Sequence, residues 1–237
     1  MRRRGFTLTE IVIGLGLAMF MVIAAFEFFG ITRRLFGKIK GEEVETQSAE
    51  AALDKIRIDL LRAGQGLVAP MRNLTVAGVE TDGGAITVAL AERSYELGQD
   101  LAAGQTRVSL TTTSGLGAQR EICLVESGWG EIHSISAVET AAVVLDEPLR
   151  EAFSRAGGQA HLIEKISYYL DEPTGILRRK VNASPPQPLL EDVAAVEFRY
   201  DAAANLALAG FSLRNGKEKK YETSVFPKNI GLARPAR

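Results

Sequence analysis

The 237-residue chain carries one cysteine, Cys123, and two histidines, His133 and His161. A lone thiol excludes an intramolecular disulfide framework and any zinc site built from several cysteines. The histidines stand far apart in sequence, and neither has a second ligand at helical spacing, so no local motif encodes a metal site. A glycine-rich phosphate loop, a nucleophile elbow and a Ser/His/Asp signature are also missing. Charge of one sign is not in excess either. The 28 Lys and Arg against 29 Asp and Glu leave a formal net charge of −1, which gives no electrostatic case for nucleic acid as a partner. Short clusters such as "KEKK" at 217–220 read as solvated faces or turns. No repeat with a period of 20–50 residues appears. What remains is an ordinary globular composition, 46% apolar and 24% charged. Within it, Cys123 lies in "REICLVES", which alternates like a strand and implies an inert buried thiol.

The apolar residues are not evenly spread. Ile11 to Phe26 carries no charge, and Phe28 and Phe29 extend the run beyond Glu27. A spanning helix needs about 20 mostly apolar residues, so Phe6 to Phe29 is long enough despite the carboxylates of Glu10 and Glu27. Arg2, Arg3 and Arg4 ahead of the run predict a cytoplasmic amino terminus with the rest of the chain outside. A secretory signal peptide cut near Ala24–Ala25 is the simpler reading of a basic start and an apolar middle. Two features oppose it. Glu10 interrupts the front of the apolar region, and helical character continues past its end.

From Arg33 to Ala63 there is no proline. In "TQSAEAALDKIRIDLLRAGQG", Leu53, Ile56, Leu60 and Ala63 recur at spacings of three and four, one face of a helix, with Lys55, Arg57 and Asp59 off that stripe. Arg62 falls in the last turn, where a cation suits the helix dipole, and Gly64 follows as a C-cap. Gly37 and Gly41 are the weak points in the middle.

Residues 67 to 237 read as mainly β. "NLTVAGVE", "GAITVALA", "TRVSLTTT", "EICLVES", "EIHSISAVE" and "AAVVLDE" are short β-rich runs between glycine or polar turns. "AHLIEKISYYLDEPTGILRRKV" predicts two strands joined at "DEPTG", and "SPPQP" at 184–188 a stiff connection. "AVEFRYD" and "LALAGFSLRN" predict a hairpin with a longer loop around Asn205, and "KKYETSVFPKN" a closing strand. "PLREAFSRAG" fits a short helix or an irregular crossing. Tyr168, Tyr169, Phe198, Tyr200 and Phe211 fall in strand-like runs, where core and cross-strand packing is favoured over a binding platform.

The segment "RRRGFTLTE" resembles the prepilin-type, class III signal of type IV pilins and type II secretion pseudopilins. The resemblance implies cleavage by a prepilin peptidase between Gly5 and Phe6, N-methylation of Phe6, and a role for Glu10 in subunit assembly. In that family the glutamate pairs with the amino terminus of a neighbouring subunit. A carboxylate deep in a bilayer costs about 2.5–3.5 kcal/mol on insertion scales, so its retention implies a partner or a hydrated position. Thr9 departs from the usual aliphatic residue, and Glu27 stands where major pilins carry a kinking proline. "LRAGQG" is similar to the helix end of W-type minor pilins and J-type pseudopilins. "ISYYLDEPTGILRRKVNASPPQPLLEDVAAVEFRYD" resembles their carboxy-terminal pattern through Tyr168, Tyr169, Gly175, Leu177, Arg178, Leu189, Leu190, Val193, Phe198 and Tyr200. Residues 67 to 160 carry little that is diagnostic.

The expected fold is therefore α+β and pilin-like: a long amino-terminal helix, its first half membrane-spanning, packed on a mostly antiparallel β domain. The expected parts are a leader at 1–5, a helix at 6–65 with its span at 6–29, and a periplasmic β-rich domain at 66–237. The expected function is that of a W-type minor pilin that helps start and cap a pilus, or a J-type pseudopilin of a type II secretion system. The implied partners are prepilin peptidase, other minor pilins and the major pilin (or pseudopilins), an inner-membrane assembly platform and the membrane, with no nucleic acid. Catalytic residues, cofactors and metals are not expected. The alternative from another class is a membrane-anchored periplasmic enzyme or ligand-binding domain, which a pocket with converging carboxylates or histidines would favour.

Overall fold

The structure is a computed structural model and describes residues 8–73, 75–82, 84–127, 129–214 and 219–233. It is a long amino-terminal helix followed by antiparallel sheets, an α+β arrangement. Helix α1, Leu8–Arg62, runs unbroken for 55 residues through Gly37 and Gly41. Contacts divide the chain into two units, one up to Ser48 and one of Ala49–Arg237, so α1 contributes to both.

In the second unit, α1 stops where expected. Gly64 takes φ +72, a left-handed conformation that ends the helix, and its N–H bonds to the Ala89 carbonyl at 2.8 Å. A short helix, α2 (Val68–Arg72), follows, with Pro70 in its first turn where a missing N–H costs nothing. The strand expected over "NLTVAGVE" is thereby mostly replaced. β1 spans Val79–Thr81 alone, while Leu74 lies outside the described residues. Gly78 explains part of this: a Cβ there would stand 2.7 Å from Ile230 Cγ1, on a short carboxy-terminal helix α3 (Lys228–Ala233) that the sequence pattern did not announce.

The main sheet follows the order β1-β2-β7-β4-β5-β6-β3, built from β2 (Ala85–Glu96), β3 (Arg107–Ser109), β4 (Glu121–Glu126), β5 (Trp129–Val138), β6 (Ala142–Leu145) and β7 (Gln159–Asp171). β8 (Ile176–Val181) and β9 (Gln187–Leu190) extend it from β7. Its central strand forks. β7 pairs β2 along its length, but its other edge pairs β4 through residues 159–162 and β8 through residues 166–171. The β7–β8 hairpin turns at the expected "DEPTG", with Gly175 at φ +67. "SPPQP" is not wholly a connection. Gln187 and Pro188 enter β9, an edge strand paired only with β8 among the described residues, where proline is tolerated. "PLREAFSRAG" forms the irregular crossing, held by reciprocal backbone bonds between Leu101 and Phe153 at 2.8 and 2.9 Å.

A second sheet, β10 (Val193–Asp201), β11 (Leu206–Leu213) and β12 (Lys220–Val225), is antiparallel throughout. Its first hairpin closes at Asn205, which takes φ 52, accepts from Tyr200 Oη at 2.8 Å and donates to the Pro227 carbonyl at 3.0 Å. The last turns of α1 share one core with both sheets: Ala52, Ile56 and Leu60 meet Val88, Ile166 and Tyr168 from the large sheet and Phe198, Ala209 and Phe211 from the small one. Another core fills the end of the large sheet around Leu97, Ile122, Leu124, Ile135 and Phe153.

Candidate functional site

The sequence points to α1 as the functional element, and its two ends are built differently. Gly5 and Phe6, the expected processing residues, lie outside the described residues, as do Arg2 to Arg4. Glu10 lies in the first turn of α1, where the aligned peptide dipoles favour an anion. It is exposed, and so is every side chain from Leu8 to Phe29, including Glu27. Ile13, Leu17, Phe20, Ile23, Phe26 and Phe29 are each more than half exposed. This is one helix long and apolar enough to cross a membrane. A helix is also the form that such a segment requires, since it satisfies its own backbone groups where no water can. Thr32 follows the same economy, its hydroxyl donating to the Phe28 carbonyl at 2.8 Å.

The other end of α1 is a packed surface. Ile56, Leu60 and Ala63 are buried as the stripe predicts, and Ala49 and Ala52 extend it, while Leu53 is only half-buried at its margin. Asp59 corrects the sequence pattern. Placed off the stripe, it is fully buried within it, because the buried face is wide enough to include position 59 between Ile56 and Leu60. Two residues that stand opposite each other in the β7–β8 ladder, Tyr168 and Arg179, reach it from the sheet. Tyr168 Oη donates to Asp59 Oδ2 at 2.5 Å, Arg179 Nε donates to the same oxygen at 2.9 Å, and Lys55 Nζ reaches Oδ1 at 3.2 Å.

Burial by itself would push the Asp59 carboxyl upward. The hydrogen bonds from Tyr168, Arg179 and Lys55, with the Arg179 charge, outweigh it and hold the group below the ordinary carboxylate range. The Tyr168 phenol is driven far up by burial and by the Asp59 carboxylate, so it stays a donor. The arrangement ties the helix to the sheet through a buried ion pair in which every charge has a partner. Arg178, matched by the resemblance, does something else: it pairs with Asp171 at 2.7 Å inside its own hairpin. Arg179 was the residue missed. Its signal was the alternation of "ILRRKV", which sends neighbouring arginines to opposite faces.

The remaining candidates separate. Tyr168, Phe198 and Phe211 are buried in the core, and Tyr169 and Tyr200 half-buried. Cys123 is buried in β4, its thiol pushed up to about 12 by burial and therefore protonated at neutral pH. His133 Nε2 bonds Glu131 Oε2 at 2.9 Å, and His161 Nδ1 bonds Ser94 Oγ at 2.9 Å. Among the described residues no group of three or more His, Cys, Asp or Glu could hold a metal ion.

Compared with known proteins, the chain matches no family profile and no curated protein. Among solved structures, the tailspike protein gp49 from Pseudomonas phage LKA1 matches 31% of this chain and 15% of its own at 18% identity, with a TM-score of 0.27. The phage phi92 endosialidase matches 60% of this chain and 33% of its own at 9% identity, with a TM-score of 0.22. This chain thus spans a small part of either protein, and likenesses this slight carry neither fold nor function.

Proposed function

We propose that the chain is a minor subunit of a type IV pilus or a related pseudopilus. It enters the inner membrane through the first half of α1, with its amino terminus on the cytoplasmic face and its sheets in the periplasm. Prepilin peptidase cuts it between Gly5 and Phe6, Phe6 is N-methylated, and it joins other minor subunits to start and cap the fibre. One observation supports this reading above the rest: "RRRGFTLTE" runs into the first turn of an uninterrupted helix whose apolar side chains up to Phe29 are exposed.

Glu10 has a defined part in this scheme. In a fibre core its surroundings become apolar, and the amine freed at Phe6 of a neighbouring subunit supplies the opposite charge. The pair offsets the desolvation of both groups and sets the axial register. The chemistry on the chain belongs to the peptidase, and the subunit contributes an anchor, a charge and a folded head.

The test is the native protein purified from membranes, with intact mass and identification of its partners by mass spectrometry. A chain beginning at methylated Phe6 and recovered with pilins supports the proposal, and Gly5→Leu leaves a full-length, membrane-bound precursor. Recovery with secretion components selects the pseudopilin form. A chain beginning near Ala25 or Phe26 overturns the proposal in favour of an ordinary signal peptide.

A further inference from the structure

The fork in β7 leaves a crevice on the sheet face away from α1. Along β7, Ile166 and Tyr168 point to the core shared with the helix, so Lys165 and Ser167 point the other way. Between the stretch paired with β4 and the stretch paired with β8, the backbone of residues 163–165 has no strand beside it on that edge. Other groups serve it. Arg120 Nη2 donates to the Ile163 carbonyl at 3.2 Å, Asn182 Oδ1 accepts from the Lys165 N–H at 2.8 Å, and the Asn182 N–H donates to the Lys165 carbonyl at 2.8 Å.

The crevice they frame has a volume of about 330 Å³, and Arg120, Lys165, Lys180, Gln119, Asn182 and Ser167 are among the residues that line it, together with one carboxylate, Glu121. That volume lies at the lower end of small-ligand sites. Its charges do not balance. Lys165 is paired with Glu121, 2.6 Å away, and Arg120 with Glu92, but Lys180 Nζ has no ion pair among the described residues. Arg120 Nε is buried and has no hydrogen-bond partner among them. Asn182 spends its oxygen on the backbone, which leaves its Nδ2 group to donate elsewhere. Gln119 and Asn182 both hold left-handed backbone, φ 62 and φ 50, an arrangement that costs a glutamine more than an asparagine.

We infer that this crevice binds a carboxylate carried on a small, hydroxyl-bearing molecule of the acidic monosaccharide class. One uncompensated cation calls for a single negative charge. Lys180 and the Asn182 Nδ2 group are donors without an assigned acceptor, Gln119 offers partners for hydroxyls, and Ser167, bonded to Thr87 Oγ1 at 2.9 Å, keeps a further acceptor position. The inference is independent of the pilus reading, because it rests on side chains of the sheet and uses neither Glu10 nor the processing residues.

The test is calorimetric titration of the full chain in detergent micelles with glucuronate, glucose and inorganic phosphate. Glucuronate binds and glucose does not. Lys180→Met and Asn182→Asp each weaken glucuronate about tenfold or more with the melting temperature unchanged. Asn182→Asp keeps the acceptor for Lys165 and the tolerance for left-handed backbone while placing a negative charge in the crevice. Lys38→Met, on the exposed part of α1, leaves binding as it was. Absence of glucuronate binding, equal binding by both crevice variants, or phosphate bound as tightly as glucuronate overturns the inference.

Discussion

Helix α1 sets the same residue types in two different solvents. Up to Ser48 it exposes leucine, isoleucine and phenylalanine; from Ala49 it buries Ile56 and Leu60 against two sheets, while Ile58 and Leu61 stay exposed on its other side. Each part also holds an acidic residue in an apolar stretch. Asp59 finds Tyr168, Arg179 and Lys55 inside its own fold. Glu10 sits on an exposed apolar surface whose proposed environment lies outside the chain. Helical structure alone says little about where a side chain's energy is realised. For the second part the answer is the sheet; for the first it is membrane and neighbouring subunits, as proposed.

The strongest way to break the comparison is to treat both parts alike. Leu60→Asp places a charge at a fully buried position, and the globular unit is expected to lose its cooperative thermal transition. Next, Asp59→Asn leaves the half-buried Arg179 without its counter-charge, for an expected loss of about 3 kcal/mol in chemical denaturation. Tyr168→Phe tests the same tie more gently, about 1–3 kcal/mol, by removing one donor to the buried carboxylate.

Acidity sharpens the contrast further. The Asp59 carboxyl sits below its ordinary value, so its contribution is present at neutral pH and is lost as pH falls below about 4. His161 acts higher on the scale. Burial lowers its affinity for a proton, so the unfolded chain binds protons more readily and stability falls as pH drops below about 6.5. His161→Gln is expected to flatten the fall of the denaturation midpoint that begins below about pH 6.5 while leaving the loss near pH 4 in place.

Glu10→Gln and Glu10→Ala are expected to leave the globular melt unchanged, with the chain still cleaved and membrane-inserted. Recovery of partner subunits and the number of surface fibres fall. Glu27→Gln, near the outer end of the apolar run, does less harm. Normal partner recovery with Glu10→Ala would make Glu10 a hydrated interface residue. The smallest effect closes the comparison: Leu35→Ala, on the exposed part of α1, changes stability by less than about 0.5 kcal/mol, whereas Leu60→Ala costs about 2–5 kcal/mol.

Features that depend on neighbours along the chain are legible in the amino-acid order. The apolar run and the lack of proline encode an unbroken helix, and the Ile56, Leu60 and Ala63 spacing encodes its buried face. Gly64, Gly175 and Asn205 encode turns, because their conformations answer to one or two adjacent peptide units. Tertiary structure decided the rest. Asp59 reads locally as a polar residue beside a stripe, and its burial follows from partners 109 and 120 positions away. The charged crevice exists because β4 and β8 leave the same edge of β7 at different points, so that Arg120 and Lys180 line one crevice. Strand pairing at such separations depends on how whole sheets close over a shared core, and the spacing of residues within any one segment does not carry that information.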